Sequence, residues 1–478
     1  MHKLATLALC AALGGCSLMP DYFRPAPPVA AQWPTSANPA GERKVEETDW
    51  RAYFPDARLQ ALIAAALEHN RDLRIAVARI EEARALYGIS RADALPSLNG
   101  TASGVSARTP AELSPTGRQL TSHQYTVGVS LLSFELDLWG RVRSLNAAAL
   151  ASYLSSEEAA RSVRLTLIGD VANAYFTLLE MEERTGMARE TVKSREETRT
   201  MVSRRRDVGL AGDLDFLQAD GAYQLARADL ANLERQRAAA ENALVLLVGQ
   251  PATAQPAGRT LADQGIVPNL AVGLPSEVLL KRPDVLAAEQ RLIAANANIG
   301  AARAAFLPRI SLTGIFGTAS TKLSGLFDTG STTWNFQPVL SLPLFDAGRN
   351  SSNVDLAQAR KVIAVADYER TIQAAFREVA DLLEARSRLA DQLAAQYATE
   401  QAQTKVLELS DARYKAGIAS YLEVLDAQRQ LFAAQQATVQ TRRAWLSSAA
   451  QLYKALGGGA TAATNASTAP AAVAVAAK

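Results

Sequence analysis

The chain repeats itself, and this constrains its fold more than any other feature. The tract from Leu274 to Gly314, LPSEVLLKRPDVLAAEQRLIAANANIGAARAAFLPRISLTG, restates a segment near the N-terminus. Pro308 stands 212 residues after Pro96, and at that spacing Asp72, Arg79, Ala83, Gly88, Arg91, Ala92 and Leu95 fall on Asp284, Arg291, Ala295, Gly300, Arg303, Ala304 and Leu307. Gly140-Arg141 returns 208 residues later as Gly348-Arg349, and that second spacing pairs Val171 with Val379, Gly209 with Gly417, Leu214 with Leu422 and Gly249 with Gly457. Solenoid units repeat at a few tens of residues, so a period of about 200 means one large supersecondary unit present twice. The two copies are read as equivalent halves of one body.

The first residues bear on the compartment. Lys3 supplies a positive start, Leu4 to Leu13 a short apolar run, and Leu13-Gly14-Gly15-Cys16 ends that run in small residues and a cysteine. The run is too short to span a bilayer. LGGC resembles a bacterial lipobox, which implies acylation of Cys16 and removal of Cys10 with the signal. Several acyl chains on one residue hold a chain firmly to a membrane surface. No thiol pair then remains for a disulfide. Ser17 follows the cysteine, without the Asp that retains some lipoproteins in the inner membrane. With 50 Lys+Arg against 48 Asp+Glu there is no basic field for nucleic acid.

The pattern along the chain gives the organisation. Residues 1–15 read as a lipoprotein signal peptide and 16–58 as a lipid-anchored, extended, proline-rich segment. Helical periodicity begins near Leu59 and runs to about Ala94, ending at Pro96; a second run from Pro283 to Leu307 ends at Pro308 in the same way. Each proline is followed by a β-pair, over 97–138 and 309–346, with about 12 residues per strand, enough to cross a bilayer when tilted. Tyr125, Val127, Val129 and Leu131 alternate with Thr126, Gly128 and Ser130, and Trp334, Phe336, Pro338, Leu340 and Leu342 with Asn335, Gln337 and Ser341. Such alternation fits a lipid-facing strand or a half-buried soluble sheet packed on helices. Long helical hairpins follow over 141–249 and 349–456, each a run of about 60 residues broken at Gly209 or Gly417 and then one of about 35. In the last run Leu425, Phe432, Val439, Leu446 and Tyr453 recur every seven residues, as in a coiled-coil seam. Residues 59–249 and 274–457 are thus the two repeats, 250–273 a linker and 458–478 a low-complexity tail expected to be disordered.

Nothing in this pattern is set up for catalysis. His69 and His123 are isolated, there is no zinc-ligand spacing, phosphate loop or nucleophile elbow, and paired carboxylates such as Glu157-Glu158 lie in arginine-dense helices that read as solvated faces. The chain is expected not to be an enzyme and to need no cofactor beyond a covalent lipid on Cys16. Shape is what remains. A four-stranded sheet in lipid leaves two open edges whose unpaired backbone groups each cost several kcal/mol, and four strands cannot close a barrel. Such a chain has to assemble with others, and its helical hairpins then stand in a ring that continues the barrel as a duct.

At this point the sequence resembles the TolC-type outer membrane factors, in their lipoprotein branch. The motifs that carry the resemblance are CSLMPDYFRP after the lipobox, the tract from Leu274 to Gly314, LSLPLFDAGR, and ARYKAGIASYLEVLDAQRQLFAAQQ; together with the duplication they cover about residues 16 to 457. The resemblance implies a mainly α fold with a transmembrane β-barrel, in which three copies of four strands close one barrel above a periplasmic helical barrel with an equatorial belt. It implies a homotrimer in the outer membrane, serving as the passive exit duct of a tripartite efflux pump. The partners would be a periplasmic adaptor and an inner-membrane transporter, most often proton-driven. It places Leu422, Glu423, Asp426 and Arg429 at the periplasmic aperture and the hairpin-tip glycines Gly209 and Gly417 near the adaptor. Leu422, Asp426 and Arg429 do share one helix face; the acid and the arginine fit rings of charge around an axis or a routine surface pair. A rival reading, a lipid-anchored periplasmic coiled-coil adaptor or scaffold, accounts for the lipobox and the heptads but not for duplicated alternating strands.

Overall fold

The computed structural model describes residues 17–34, 48–115, 117–251, 256–266 and 275–458. Cys16 and the signal segment, residues 35–47, the linker stretches 252–255 and 267–273, and the tail after 458 lie outside the described residues. Contacts divide the chain into two compact units. One holds the N-terminal tether to Ala26 with Arg79–Glu157 and Ala287–Glu369; the other holds Pro27–Ala78, Glu158–Leu286 and the chain from Arg370 onward. In chain order the elements are α1 (Trp50–Tyr53), α2 (Ala57–His69), α3 (Arg71–Ala92), β1 (Leu98–Thr109), β2 (Leu120–Leu136), α4 (Arg141–Asp207), α5 (Asp213–Val248), α6 (Pro275–Leu279), α7 (Pro283–Ala304), β3 (Arg309–Ser320), β4 (Thr332–Ser341), α8 (Arg349–Lys415) and α9 (Tyr421–Ala455), with short 3-10 turns between some of them.

The first unit is built on one antiparallel sheet in the order β1-β2-β3-β4. Its register sorts the side chains into two faces. Val129 lies opposite Gly100 and Phe316, Phe316 opposite Trp334, Leu131 opposite Leu98 and Gly314, and Ile310 opposite Leu340. That row is apolar. The other face carries Thr101 opposite Gly128, Ser130 opposite Asn99 and Ile315, and Thr313 opposite Gln337. Gly128 and Gly317 are paired at a close backbone approach: a Cβ on Gly317 would stand 2.1 Å from the Val127 carbonyl oxygen.

Several strand details differ from the sequence reading. β2 carries a one-residue bulge between Leu131 and Phe134, with Ser133 at φ +53°. The bulge returns Phe134 to the row of Leu131, and so explains why the alternation skips a residue there. β2 begins at Leu120, upstream of His123. β4 stops at Ser341 because Pro343 has no N–H to give a ladder; Leu344 and Phe345 beyond it are 90% and 91% exposed. Ser130 is only 4% exposed and donates to the Asn99 carbonyl, so the polar face is closed over at that point.

Below the sheet, within the same unit, α7 packs closely on α4 through Ala148, Ala151, Ala294 and Ala297, and the Ser155 hydroxyl donates to the Ala287 carbonyl at 2.9 Å. Small residues let the helix backbones approach, and dispersion contacts then accumulate. The tether lies on α7: Arg24 grips Glu289 at 2.7 Å with both nitrogens, Tyr22 donates to the same carboxylate, and Asn296 donates to the Pro20 carbonyl. Gly300 has no side chain because Met19 runs over it, its backbone nitrogen 2.9 Å from where a Cβ would be.

The second unit contains the outer parts of the long helices. α4 and α8 each run 67 residues, and α5 and α9 run 36 and 35. Each long helix ends in the same cap: the glycine is left-handed (Gly209 φ +76°, Gly417 φ +74°), and the next residue's N–H reaches back five residues, from Leu210 to Arg205 and from Ile418 to Arg413. This is the Schellman arrangement, which a glycine adopts without steric cost. The first helix is not continuous to Ala92. Asn70 breaks it, extended at ψ 133°, with its Oδ1 accepting from the Leu73 N–H and its amide donating to the Leu247 carbonyl. Nor is 16–58 extended throughout, since α1 forms at Trp50 and α2 begins at Ala57. The linker is also more than a spacer: Leu261 and Ile266 are buried, and the Arg259 N–H and the Gln264 amide both donate to Asp56. No helix among the described residues is long and apolar enough to cross a membrane.

Candidate functional site

The residues singled out at the start of α9 can be placed from the helix upward. α9 leaves the left-handed turn at Gly417, and its seam residues Val439, Leu446 and Tyr453 are buried. Near its start, Tyr421 and Val424 pack into a cluster with Val202 of α4 and Ala219 of α5. That packing fixes the rotation of the helix. Leu422, one position on from Tyr421, is 59% exposed.

Leu422, Leu425, Asp426, Arg429 and Phe432 line one side of a cavity of about 270 Å³, closed by Ala188, Thr191 and Arg195 of α4 and by Ala222, Leu225, Ala226 and Asp229 of α5. Asp426 accepts from Arg429 at 2.6 Å, an i,i+3 ion pair with both side chains more than half exposed. An exposed pair of this kind contributes little to stability, so its place here needs another account. The structure thus brings Leu422, Asp426 and Arg429 together. Glu423 turns away and pairs with Arg413 at 3.3 Å. Gly209 and Gly417 occupy the two hairpin turns, with open space where a Cβ would be.

Arg195 is the residue sequence reasoning missed. It is 7% exposed, donates to the Gln428 side-chain oxygen and lies against Tyr421; burial pushes its pKa down, although Tyr421 opposes the shift. Its partner on α9 is more than 200 residues away, and in sequence it is one arginine among many on α4. Deeper in the unit, Glu180 holds Arg184 of its own helix at 2.9 Å and Arg443 of α9 at 2.8 Å, which fixes α9 along α4. Among the described residues no group of three or more His, Cys, Asp and Glu is placed to hold a metal ion.

The family model described as "Outer membrane efflux protein" matches residues 62–250 and 274–458. The chain belongs to that family. Among curated relatives, the efflux protein is 45% identical over 457 residues to the outer membrane protein OprJ of Pseudomonas aeruginosa, covering 95% of each chain. It is 46% identical to the solvent efflux pump outer membrane protein SrpC of Pseudomonas putida, covering 94% of this chain and 96% of that one. Among solved structures, the open state of the Neisseria gonorrhoeae MtrE outer membrane channel superposes with a TM-score of 0.85 at 39% identity, covering 93% of this efflux protein and 98% of that chain. The Campylobacter jejuni CmeC outer membrane channel superposes at 0.87 with 27% identity, covering 94% and 98%.

Proposed function

We propose that this efflux protein works as a homotrimer: three copies of its sheet close a β-barrel in the outer membrane, and the helices line a periplasmic duct that receives cargo from an adaptor and an inner-membrane transporter. The observation that carries the reading is the sheet. It is apolar on one face, polar on the other and unpaired at both edges, β1 and β4, an arrangement that lipid tolerates only in a closed ring. The relatives' names support a cargo of small, mainly apolar compounds, since they speak of solvent, toluene and antibiotic efflux. The tips at Gly209 and Gly417 are the surfaces we assign to the adaptor.

A lipid on Cys16 would hold the tether, whose Leu18 carbonyl accepts from Arg303, two turns before β3 begins. Metabolic labelling with a radioactive fatty acid is expected to mark the parent and not Cys16→Ser; label retained in the variant would remove the anchor.

The aperture we assign to Leu422, Asp426 and Arg429 is tested in planar bilayers. In a ring of copies, each carboxylate beside its own Arg429 makes a charged constriction that favours cations. Asp426→Ala is expected to raise single-channel conductance and lower cation preference, and the difference is expected to shrink as salt rises, because a wet aperture is screened. An Asp426→Ala channel with the parent's conductance and selectivity would return the pair to an ordinary solvated helix face. A purified parent that forms no channels at all would sink the duct itself.

A further inference from the structure

We infer that the cavity between α4, α5 and α9 binds an organic anion, a small aromatic or otherwise apolar body carrying a carboxylate or sulfonate, with Arg195 as the group that receives the charge. The inference goes beyond the duct. It needs only the folded hairpins, and it holds or fails whatever the conductance of an Asp426 variant proves to be.

The cavity has a floor and a rim of different character. Ala188 and Arg195 of α4 and Ala226 of α5 are buried and form the floor, whereas Leu225 and Leu422 stand exposed at the rim beside Asp229, Asp426 and Arg429. Leu425 and Phe432 of α9 complete apolar walls. The alanines hollow it out, since Ala188 faces Ala222 and Ala226, one turn apart on α5, and larger side chains there would close the gap as most protein interiors do. A void of about 150 Å³ with apolar walls takes up benzene. At about 270 Å³ this one has room for a second ring.

Arg195 gives the site its sign. The charged side chains that line the cavity are Arg195 from α4, Asp229 from α5, and Asp426 and Arg429 from α9. Asp426 and Arg429 are paired at 2.6 Å and cancel at short range. Asp229 is exposed at the rim, where water and salt screen it. Arg195 differs from all of these because it is buried and meets only neutral groups, the Gln428 side-chain oxygen and the Tyr421 phenol, whose pKa is itself raised by burial. Among the described residues no carboxylate pairs with it. A buried cation without an anion is costly, which is why burial pushes the Arg195 pKa down.

The hydrogen-bond count points the same way. A guanidinium offers several N–H donors, and one nitrogen of Arg195 is engaged by Gln428. Thr191, the other polar residue that α4 brings to the cavity, commits its hydroxyl to the Met187 carbonyl of its own helix at 2.9 Å. A carboxylate or sulfonate supplies both things the floor lacks, a countercharge and acceptors, in the forked geometry that suits a guanidinium. Inside the cavity that attraction is stronger than the solvent-screened repulsion from the rim acids. An organic ammonium would instead meet the Arg195 charge at the floor. The arginine is also not required by the repeat: at the spacing of 208 residues its counterpart is Gln403, so the cationic floor belongs to the first repeat alone and each chain has one such site.

The test is calorimetric titration of the full-length protein in mild detergent with three probes of one shape: 2-naphthoate, neutral 2-naphthylmethanol and cationic 2-naphthylmethylamine. Titrations into detergent alone are subtracted. 2-Naphthoate is expected to bind at least about tenfold tighter than the alcohol, as befits a charge-assisted pair, and the amine more weakly than either. Arg195→Met keeps an apolar stem and removes the charge. It is expected to bring 2-naphthoate down to the affinity of the alcohol, while the alcohol stays within about threefold of its affinity for the parent. Arg195 also holds Gln428, so a second variant leaves that contact alone. Leu225→Trp lies on the exposed rim, where substitutions disturb the fold little, and its ring fills the cavity from above. All three probes are expected to weaken by about tenfold or more in it. Equal affinity of the parent for 2-naphthoate and the alcohol overturns the anion assignment and leaves a plain apolar cavity. Tightest binding of the amine overturns it too, moving recognition to the rim acids. Absence of binding by any probe, or 2-naphthoate affinity unchanged in both variants, overturns the site itself.

Discussion

Arginine in place of Val129 is expected to abolish assembly of the membrane sheet. Val129 sits mid-strand in the apolar row, half-exposed in the single chain, between Gly100 and Phe316. If that row faces lipid near the bilayer midplane, a guanidinium there costs about 2 to 4 kcal/mol, which corresponds to roughly 30- to 900-fold in the folding equilibrium. The comparison position is Gln337, opposite Thr313 on the other face and exposed. Gln337→Arg keeps its charge toward the lumen and is expected to assemble as the parent does. Ser130, the neighbour that alternation alone would nominate, is unsuitable because it is buried and has no room for the longer side chain. The measurement is the amount of each variant recovered as heat-modifiable protein in outer membranes. Equal recovery of Val129→Arg and Gln337→Arg would mean that the apolar row does not face lipid.

The second large effect is expected at Asp56, in the helical unit. Its carboxylate caps α2, accepting from the Arg58 N–H at 2.8 Å, and its other oxygen accepts from Tyr175, from the Arg259 N–H and from Gln264. One buried acid thus ties the start of α2 to α4 and to the linker. Burial by itself would raise its pKa, but the four donors outweigh burial and hold the carboxyl below its usual range. Asp56→Ala takes the acceptor from the Arg58 and Arg259 N–H groups and the Tyr175 hydroxyl and leaves Gln264 only the Arg259 and Thr260 carbonyls, in a site with no exposure, at a cost of roughly 3 to 5 kcal/mol, typical of breaking a buried charged network. Asn can still cap the helix but not serve as the common acceptor, so Asp56→Asn is expected to lose about 1 to 2 kcal/mol.

The sign of the pH dependence follows from the depressed pKa. Stability from Asp56 is fully present above the unfolded value of about 3.9 and is lost as pH falls through the lower folded value. Acid unfolding of the parent below about pH 4 should therefore be steeper than that of Asp56→Asn, which has no proton to take up at this site. Denaturant melts at pH 7 and pH 3 check both points. Equal acid sensitivity in the two proteins would mean that the carboxylate does not carry the linkage.

By itself the sequence determined the duplication, the four strands, the long helices and their glycine breaks. Each of these is written in local chemistry that needs no partner. Prolines at 96 and 308 end helices through their own geometry, Gly209 and Gly417 take the left-handed cap because only glycine does so without strain, and alternation in β2 and β4 marks faces one residue at a time. The face shared by Leu422, Asp426 and Arg429 was equally legible, since spacings of three and four suffice for it. Only the tertiary structure decided what depends on distant residues meeting. Asn70 breaks a helix because Leu247, 177 positions on, offers it a carbonyl. The bulge after Leu131 exists only with respect to β3. Glu423 leaves the site because Arg413 across the turn claims it, and Arg195 enters it because Gln428 and Tyr421 come to it from the other repeat. Periodicity reports which way a side chain points from its own backbone, whereas its partner is chosen by packing between segments that the sequence holds far apart.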